Sequence, residues 1–168
     1  MSDPIHITDY DPAWPAQFER LAAPLRESLR DLIVGIEHVG STSVPGLAAK
    51  PIIDLDIVIS SRFRLPEIIK RLEPLGYPHE GDKGLPGREA FGWTGERHHL
   101  YVCALDASAL HEHLLFRDYL REHADVAAAY GDLKKDLARR YRRKREAYTE
   151  GKTAFILRVL AEARAALP

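Results

Sequence analysis

The sequence has a single cysteine, Cys103, and no long apolar run. One cysteine excludes a disulfide framework and a cysteine-rich zinc site, and it fits a reducing compartment. No stretch approaches the roughly 18 apolar residues that a membrane-spanning helix needs. The start, MSDPIHITDYDP, lacks the basic and apolar segments of a signal peptide. These absences predict a cytoplasmic protein with no membrane partner.

The sequence also lacks an excess of charge of either sign. Its 24 Lys and Arg residues face 25 Asp and Glu residues, for a formal net charge of −1. A dedicated nucleic-acid binder usually has a strongly basic surface, so no DNA partner is expected. With 45% hydrophobic and 29% charged residues, the composition is that of a globular domain with one core. We therefore predict a single domain over residues 1–168.

Hydrophobic spacing divides the chain into a sheet-rich part, about residues 1–105, and a helical part, about 106–168. Period-two and apolar runs predict strands at 5–8, 36–39, 52–59, 90–94 and 98–105. Spacings of three and four predict helices at 14–32, 65–75, 110–123, 126–148 and 153–167. This order predicts an α/β (α+β) fold, in which helices flank a mixed β-sheet and the C-terminal part is helical.

Asp54 and Asp56 lie one residue apart on the predicted strand 52–59. Side chains alternate along a strand, so both carboxylates leave the same face. Two close carboxylates repel each other unless a cation compensates them, and Mg²⁺ usually takes one or two carboxylates plus substrate phosphates. For the pair alone, a solvent-facing side of an antiparallel strand is the favoured interpretation.

A turn-rich segment, GSTS at 40–43, follows the predicted strand 36–39 and shifts that balance. Ser43 is suited to cap a short helix starting near Val44, and backbone N–H groups at a helix N-terminus form an anion site. An ordinary capped turn is the alternative interpretation. The GxxxxGK[ST] spacing of a Walker A loop is absent.

Gly40-Ser41, twelve intervening residues and Asp54-Leu55-Asp56 together resemble the signature of the nucleotidyltransferase (DNA polymerase β-like) superfamily. Longer stretches resemble the GrpB family (UPF0157-type), a group of uncharacterised nucleotidyltransferase-like proteins. These stretches are YDPAWPAQF at 10–18, IEHVGSTSVPGLAAKPIIDLDI at 36–57, HHLYV at 98–102 and HLLFRDYLR at 113–121, together with Tyr130 and Leu133-Lys134. The resemblance extends over most of the chain.

The resemblance implies a nucleotidyltransferase-like fold and magnesium-dependent transfer of a nucleotidyl group from a nucleoside triphosphate to an unidentified acceptor. It implies that Asp54 and Asp56 are catalytic and bind Mg²⁺. Together with the charge pattern, it assigns nucleotide and phosphate binding to Gly40, Ser41, Thr42, Ser43, Lys50, Arg117 and Arg121. His99 is expected to line the site.

Purely structural interpretations stay open for the basic candidate residues. Arg117 and Arg121 are four residues apart on a predicted helix, where like charges repel mildly. An anion would relieve the repulsion, and so would Asp118, which makes a phosphate clamp and an internal salt bridge equally favoured. Lys50 is a phosphate contact or a solvated loop lysine.

The predicted strand 98–105 departs from the pattern of active nucleotidyltransferases. It has no acid where these enzymes usually add a third carboxylate, and Tyr101 replaces the second histidine of the common GrpB pattern HLHV. His99 matches the first histidine, and for it a metal ligand, a general base and a structural hydrogen-bonding role are all open. The departure favours an alternative function, a non-catalytic nucleotide- or metabolite-binding module of the same fold.

Two further patterns carry weaker expectations. The stretch KKDLARRYRRKR at 134–145 holds eight basic residues, for which a solvated helix face is favoured over an RNA contact. His111 and His113 are two residues apart on a predicted helix and do not face each other, so this pair is not expected to bind zinc.

Overall fold

The computed structural model describes residues 3–168 and groups them into two compact units. The sheet unit comprises residues 13–40 and 52–113, and the helix unit comprises the remaining residues up to 12, 41–51 and 114–168. The sequence therefore has no single boundary between the units near residue 105. The segment 41–51 of the helix unit interrupts the sheet unit, and the last boundary lies between residues 113 and 114. The prediction of one domain over residues 1–168 stays a prediction.

The sheet unit contains five strands. They are β1 Gly35–Val39, β2 Ile53–Ile59, β3 His79–Gly81, β4 Arg88–Phe91 and β5 His98–Ala104. Their order in the sheet is β1-β2-β5-β4-β3, with β2 and β5 parallel and every other pair antiparallel. The predicted mixed sheet is confirmed. Strand β3 was not predicted, because its three residues, HEG, carry no hydrophobic alternation.

One face of β2 forms the core of the sheet unit, as the alternation predicted. Its residues are all at most 2% exposed: Ile53, Leu55, Ile57 and Ile59. Helix α1, Trp14–Leu29, covers this face, because Phe18 stacks on His38 with ring centroids 4.7 Å apart and His38 is paired with Leu55. Helix α2, Leu65–Leu72, packs beside α1 and ends in a 3₁₀ turn before Gly76. The opposite face carries Asp54 and Asp56.

The helix unit contains most of α3, Ser108–Glu122, together with α4, Ala124–Arg140, and α5, Arg145–Ala165. The predicted helix 126–148 was wrong at its C-terminal end. In a continuous helix Leu137 and Tyr148 would lie about 16 Å apart along the axis. The turn between α4 and α5 instead brings both residues into one apolar cluster with Ile5. Tertiary packing therefore breaks the helix where the local pattern would continue it.

Two predictions for the N-terminal part were also wrong. Residues 5–8 form no strand: Thr8 exchanges two backbone hydrogen bonds with Ala49, and Ile5 donates one to the Arg142 carbonyl oxygen, so the segment follows no single neighbouring strand. Residues Ser41–Ser43 form a 3₁₀ turn, and no helix follows it at Val44. Across residues 3–168, no helix combines the length and apolar character needed to cross a bilayer.

Candidate functional site

Two carboxylates on the interior strand β2 form the centre of the candidate site. Asp54 and Asp56 leave the same face of the sheet, and each contacts one histidine in the sheet unit. His99 Nδ1 lies 2.7 Å from Asp54 Oδ1, and His113 Nδ1 lies 2.6 Å from Asp56 Oδ2. Each carboxylate therefore has one imidazole group as its hydrogen-bond partner.

Asp56 has an incomplete set of hydrogen bonds. Its side chain is fully buried, and His113 contacts only Oδ2. The other oxygen, Oδ1, is buried without a hydrogen-bond partner in the described part of the chain. Buried carboxylate oxygens are normally paired, and an unpaired one is costly. A cation or a hydrogen-bond donor beside Oδ1 would therefore supply the partner that Asp56 lacks.

His113 is a site residue that the sequence interpretation missed. It lies on the first half of α3, within the sheet unit. Burial disfavours its charged form, but the hydrogen bond to Asp56 and the negative charge of that carboxylate outweigh burial and raise the pKa of His113. The signal for its role in the sequence is that His113 opens the family-like stretch HLLFRDYLR. His111 instead contacts the Leu105 carbonyl oxygen.

The neighbouring strands place three side chains beside the acid pair. On β5, His99 lies beside Asp54 and Tyr101 beside Asp56. On β1, Glu37 is paired with Asp56 and lies on the same face. In residues 3–168 no group of three or more His, Cys, Asp or Glu side chains is arranged to hold a metal ion.

Gly40 ends β1 directly against Asp54. Its φ is +73°, a left-handed conformation that favours glycine. A Cβ atom at this position would lie only 2.2 Å from Asp54 Oδ2. The backbone of residue 40 can therefore lie this close to the Asp54 carboxylate only because glycine has no side chain.

We expect Gly40→Ala to disturb Asp54 as well as the backbone. The left-handed conformation alone should cost about 1–2 kcal/mol of unfolding free energy, and the new methyl group would also displace the carboxylate. Thermal unfolding measures the first effect, and isothermal titration of Mg²⁺ with a non-hydrolysable nucleoside triphosphate measures the second.

Gly95→Ala provides the matched control. Gly95 also has a positive φ, +89°, but a Cβ atom there would meet nothing within 4 Å. Both variants should lose stability, and only Gly40→Ala should lose metal-dependent nucleotide affinity. Equal affinity in the two variants would contradict a role for the Gly40–Asp54 contact in binding.

In the helix unit, the 3₁₀ turn Ser41–Ser43 is attached to a buried lysine. Lys134, on α4, is 2% exposed, and its ammonium group donates a hydrogen bond of 2.8 Å to Ser41 Oγ. The same ammonium lies 4.6 Å from the ring centroid of Tyr130. The interpretation of residues 134–145 as a solvated face was therefore wrong at Lys134, because the helix turns this residue toward the Ser41 turn.

Arg121 joins the same turn, while the other predicted cations lie in different surroundings. Arg121 Nε donates to the Ser43 carbonyl oxygen at 2.9 Å. Arg117 Nε donates to Asp118 at 2.8 Å, and Arg121 Nη1 lies 3.9 Å from the same carboxylate. The Lys50 ammonium lies 4.5 Å from the ring centroid of Tyr148. The phosphate roles of these residues stay predictions.

The predicted residues thus form two clusters, one in each unit. Gly40, Asp54, Asp56 and His99 come together in the sheet unit, joined by the unpredicted His113. Ser41, Ser43 and Arg121 come together in the helix unit, joined by the unpredicted Lys134. Thr42 belongs to the same turn and is 2% exposed.

Comparison with solved structures identifies the class of fold. The chain matches Cid1 poly(U) polymerase, in a structure with MgGTP bound, with a TM-score of 0.56 and 19% identity over 80% of this chain and 45% of that chain. It matches the conserved protein GrpB from Enterococcus faecalis with a TM-score of 0.86 and 38% identity, covering 94% and 96% of the two chains. The fold is that of the nucleotidyltransferases.

Sequence comparison then identifies the family. The family profile described as GrpB protein matches residues 4–162. The chain is 42% identical to the UPF0157 protein PA4798 of Pseudomonas aeruginosa, over 98% of this chain and 69% of that protein. It is 35% identical to the UPF0157 protein YqkA of Bacillus subtilis, over 90% of this chain and 45% of that protein. The chain belongs to the GrpB family.

Proposed function

We propose that this GrpB protein is a magnesium-dependent nucleotidyltransferase, which moves a nucleotidyl group from a nucleoside triphosphate to an acceptor. The observation that carries the proposal is the state of Asp56. A fully buried carboxylate with one unpaired oxygen lies beside a second carboxylate, on an interior strand of a nucleotidyltransferase fold. That arrangement supports a cation as the missing partner.

The donor set fits Mg²⁺. Two carboxylates, with the remaining ligands supplied by water and substrate phosphates, are the usual protein contribution to a magnesium site. Asp54 and Asp56 would hold the ion, and the backbone at Gly40 leaves room for the Asp54 carboxylate. When bound, the metal stabilises the negative charge that develops on the transferring phosphate. His99 and His113 fix the orientation of the two carboxylates.

The helix unit supports a second part of the proposal, the binding of the triphosphate. Lys134 brings a buried positive charge to the Ser41 hydroxyl, and Arg121 lies on the Ser43 carbonyl. Backbone N–H groups and hydroxyls of residues 41–43 would donate to phosphate oxygens, and these cations would compensate their charge. Arg117 and Lys50 stay additional candidates for the outer phosphates.

A second candidate is a nucleotide- or metabolite-binding module without transfer chemistry. The observation that favours it is the composition of β5, where His99 and Tyr101 occupy the positions beside the acid pair. Without a third carboxylate on β5, a two-metal mechanism lacks one of its usual ligands. Binding without turnover is what this module would show.

One experiment separates the two candidates. The purified chain is incubated with Mg²⁺, each of the four α-labelled ribonucleoside triphosphates, and pools of RNA or small metabolites as acceptors. We expect label on an acceptor, which the Asp54→Asn/Asp56→Asn double variant fails to produce and the exposed control Asp106→Asn retains. Magnesium-dependent triphosphate binding without transfer to any acceptor would favour the binding module. If the chain shows neither triphosphate binding nor transfer, both candidates are contradicted.

A further inference from the structure

Arg88, on β4, has no part in the proposed function, yet its environment is unusual. Its guanidinium carbon lies 4.1 Å from the ring centroid of Tyr101. Its Nε atom is buried without a hydrogen-bond partner. Within residues 3–168 the structure shows no ion pair for this guanidinium, although the acid pair lies on the same sheet face. Arg88 is partly buried as a residue, but an enclosed guanidinium donor without a partner is rare.

The strand register places Arg88 at the acid pair. Tyr101 is paired with Asp56 on one side and with Ala90 on the other, so these three residues form one row across the sheet. Arg88 lies two residues before Ala90 and therefore on the same face. Its guanidinium folds back along this face onto Tyr101.

Two unpaired polar atoms of opposite kind thus lie on one face of the sheet. Asp56 Oδ1 is an acceptor and Arg88 Nε is a donor, and they are the buried side-chain atoms without partners in the described chain. The two carboxylates hydrogen-bond to His99 and His113, and within residues 3–168 Arg88 forms no ion pair with either acid. The site therefore has capacity for a cation at Asp56 and for an anion at Arg88.

The position of Arg88 also indicates which substrate it serves. In the strand order, β1 with Gly40 lies on one side of β2, while β5 and β4 with Arg88 lie on the other. In nucleotidyl transfer an acceptor hydroxyl oxygen bonds to the α-phosphorus while the bond to the departing pyrophosphate breaks, and the hydroxyl proton passes to water. Attacking and leaving oxygens are roughly in line, so they lie on opposite sides of the reacting phosphorus.

We propose that Arg88 binds an oxyanion of the acceptor substrate, a carboxylate or a phosphate group. The assignment to the acceptor rests on the proposed function, in which the triphosphate lies at Gly40 and Ser41. The anion site itself rests on the geometry of Arg88 alone. The planar guanidinium fork matches both kinds of oxyanion, and lysine cannot reproduce its two parallel hydrogen bonds.

Nuclear magnetic resonance of the ¹⁵N-labelled chain tests the anion site without metal or nucleotide. Inorganic phosphate and acetate are titrated separately, with chloride as the ionic-strength reference. We expect the Arg88 Nε–H signal to shift saturably with at least one of the two anions, and the stronger response identifies the class of oxyanion. Arg88→Lys should bind that anion at least tenfold more weakly, whereas Arg62→Lys, at an exposed arginine of the same unit, should bind it as the wild type does.

The outcomes separate this proposal from the proposed function. An Arg88 signal that moves no more than that of Arg62, or equal affinity in Arg88→Lys and the wild type, would overturn the anion site even if transfer activity is found. Anion binding that persists in the Asp54→Asn/Asp56→Asn variant supports the site independently of catalysis. Where transfer is measured, Arg88→Lys should raise the KM for the acceptor and leave the KM for the triphosphate unchanged. The reverse pattern would overturn the assignment to the acceptor.

Discussion

The Asp56→Asn variant is expected to lose nucleotidyl transfer by at least about a thousandfold, equivalent to about 4 kcal/mol of transition-state stabilisation. Asp56 is fully buried on the interior strand β2, and one of its oxygens has no partner within the described chain. Asparagine preserves the size of the side chain but removes the negative charge, which a hard cation requires. Initial rates with labelled triphosphate at saturating Mg²⁺ measure the effect.

The same variant should stay folded. The substitution weakens the contact with His113, but it also removes a buried charge whose second oxygen is unpaired, and these two effects oppose each other. In EDTA we therefore expect Tm to change by less than about 4 °C, roughly 1 kcal/mol for a chain of this length. Asp106→Asn, at an exposed aspartate of the sheet unit, should retain both activity and stability. Transfer at the wild-type rate in Asp56→Asn would contradict the metal-binding role.

The features that could be predicted from the sequence are those with a local period. Alternation on β2 predicted both the buried face, with Leu55 and Ile57, and the common face of Asp54 and Asp56. The other strands and helices of the sheet-rich part followed from similar patterns, except β3, which was missed, and residues 5–8, which form no strand. The resemblance of the stretch 36–57 identified the family, which the profile match confirms. Local spacing was sufficient wherever the partner of a residue lay on its own strand or helix.

The residues that were missed acquire their environment from distant parts of the chain. Asp56 and His113 are 57 residues apart, and Ser41 and Lys134 are 93 apart. Glu37 lies beside Asp56 only through the register of β1 on β2, which no turn of standard length specifies. Whether one of the eight basic residues at 134–145 is buried depends on which face of its helix packs against the rest of the unit. Composition could not separate Lys134 from its neighbours.

Lys134→Met gives the second large expected effect, a loss of about a hundredfold in triphosphate affinity, or about 2.8 kcal/mol. Lys134 brings a buried ammonium group to the hydroxyl of Ser41, the first residue of the turn that we propose binds phosphates. Methionine keeps most of the side-chain volume and its apolar contacts but removes the charge. Isothermal titration with a non-hydrolysable triphosphate and Mg²⁺ measures the change.

The stability of Lys134→Met should not fall together with its triphosphate affinity, and this contrast makes the test specific. A desolvated ammonium group costs free energy, so replacing it with a well-packed apolar group is neutral or stabilising when its role is to hold a ligand. We therefore expect Tm to stay constant or rise in Lys134→Met. The adjacent Lys135→Met removes an exposed charge that pairs with Asp9, and it should leave triphosphate affinity unchanged. A large fall in Tm with unchanged affinity would show that Lys134 only anchors the Ser41 turn, and it would remove the buried cation from the proposed triphosphate site.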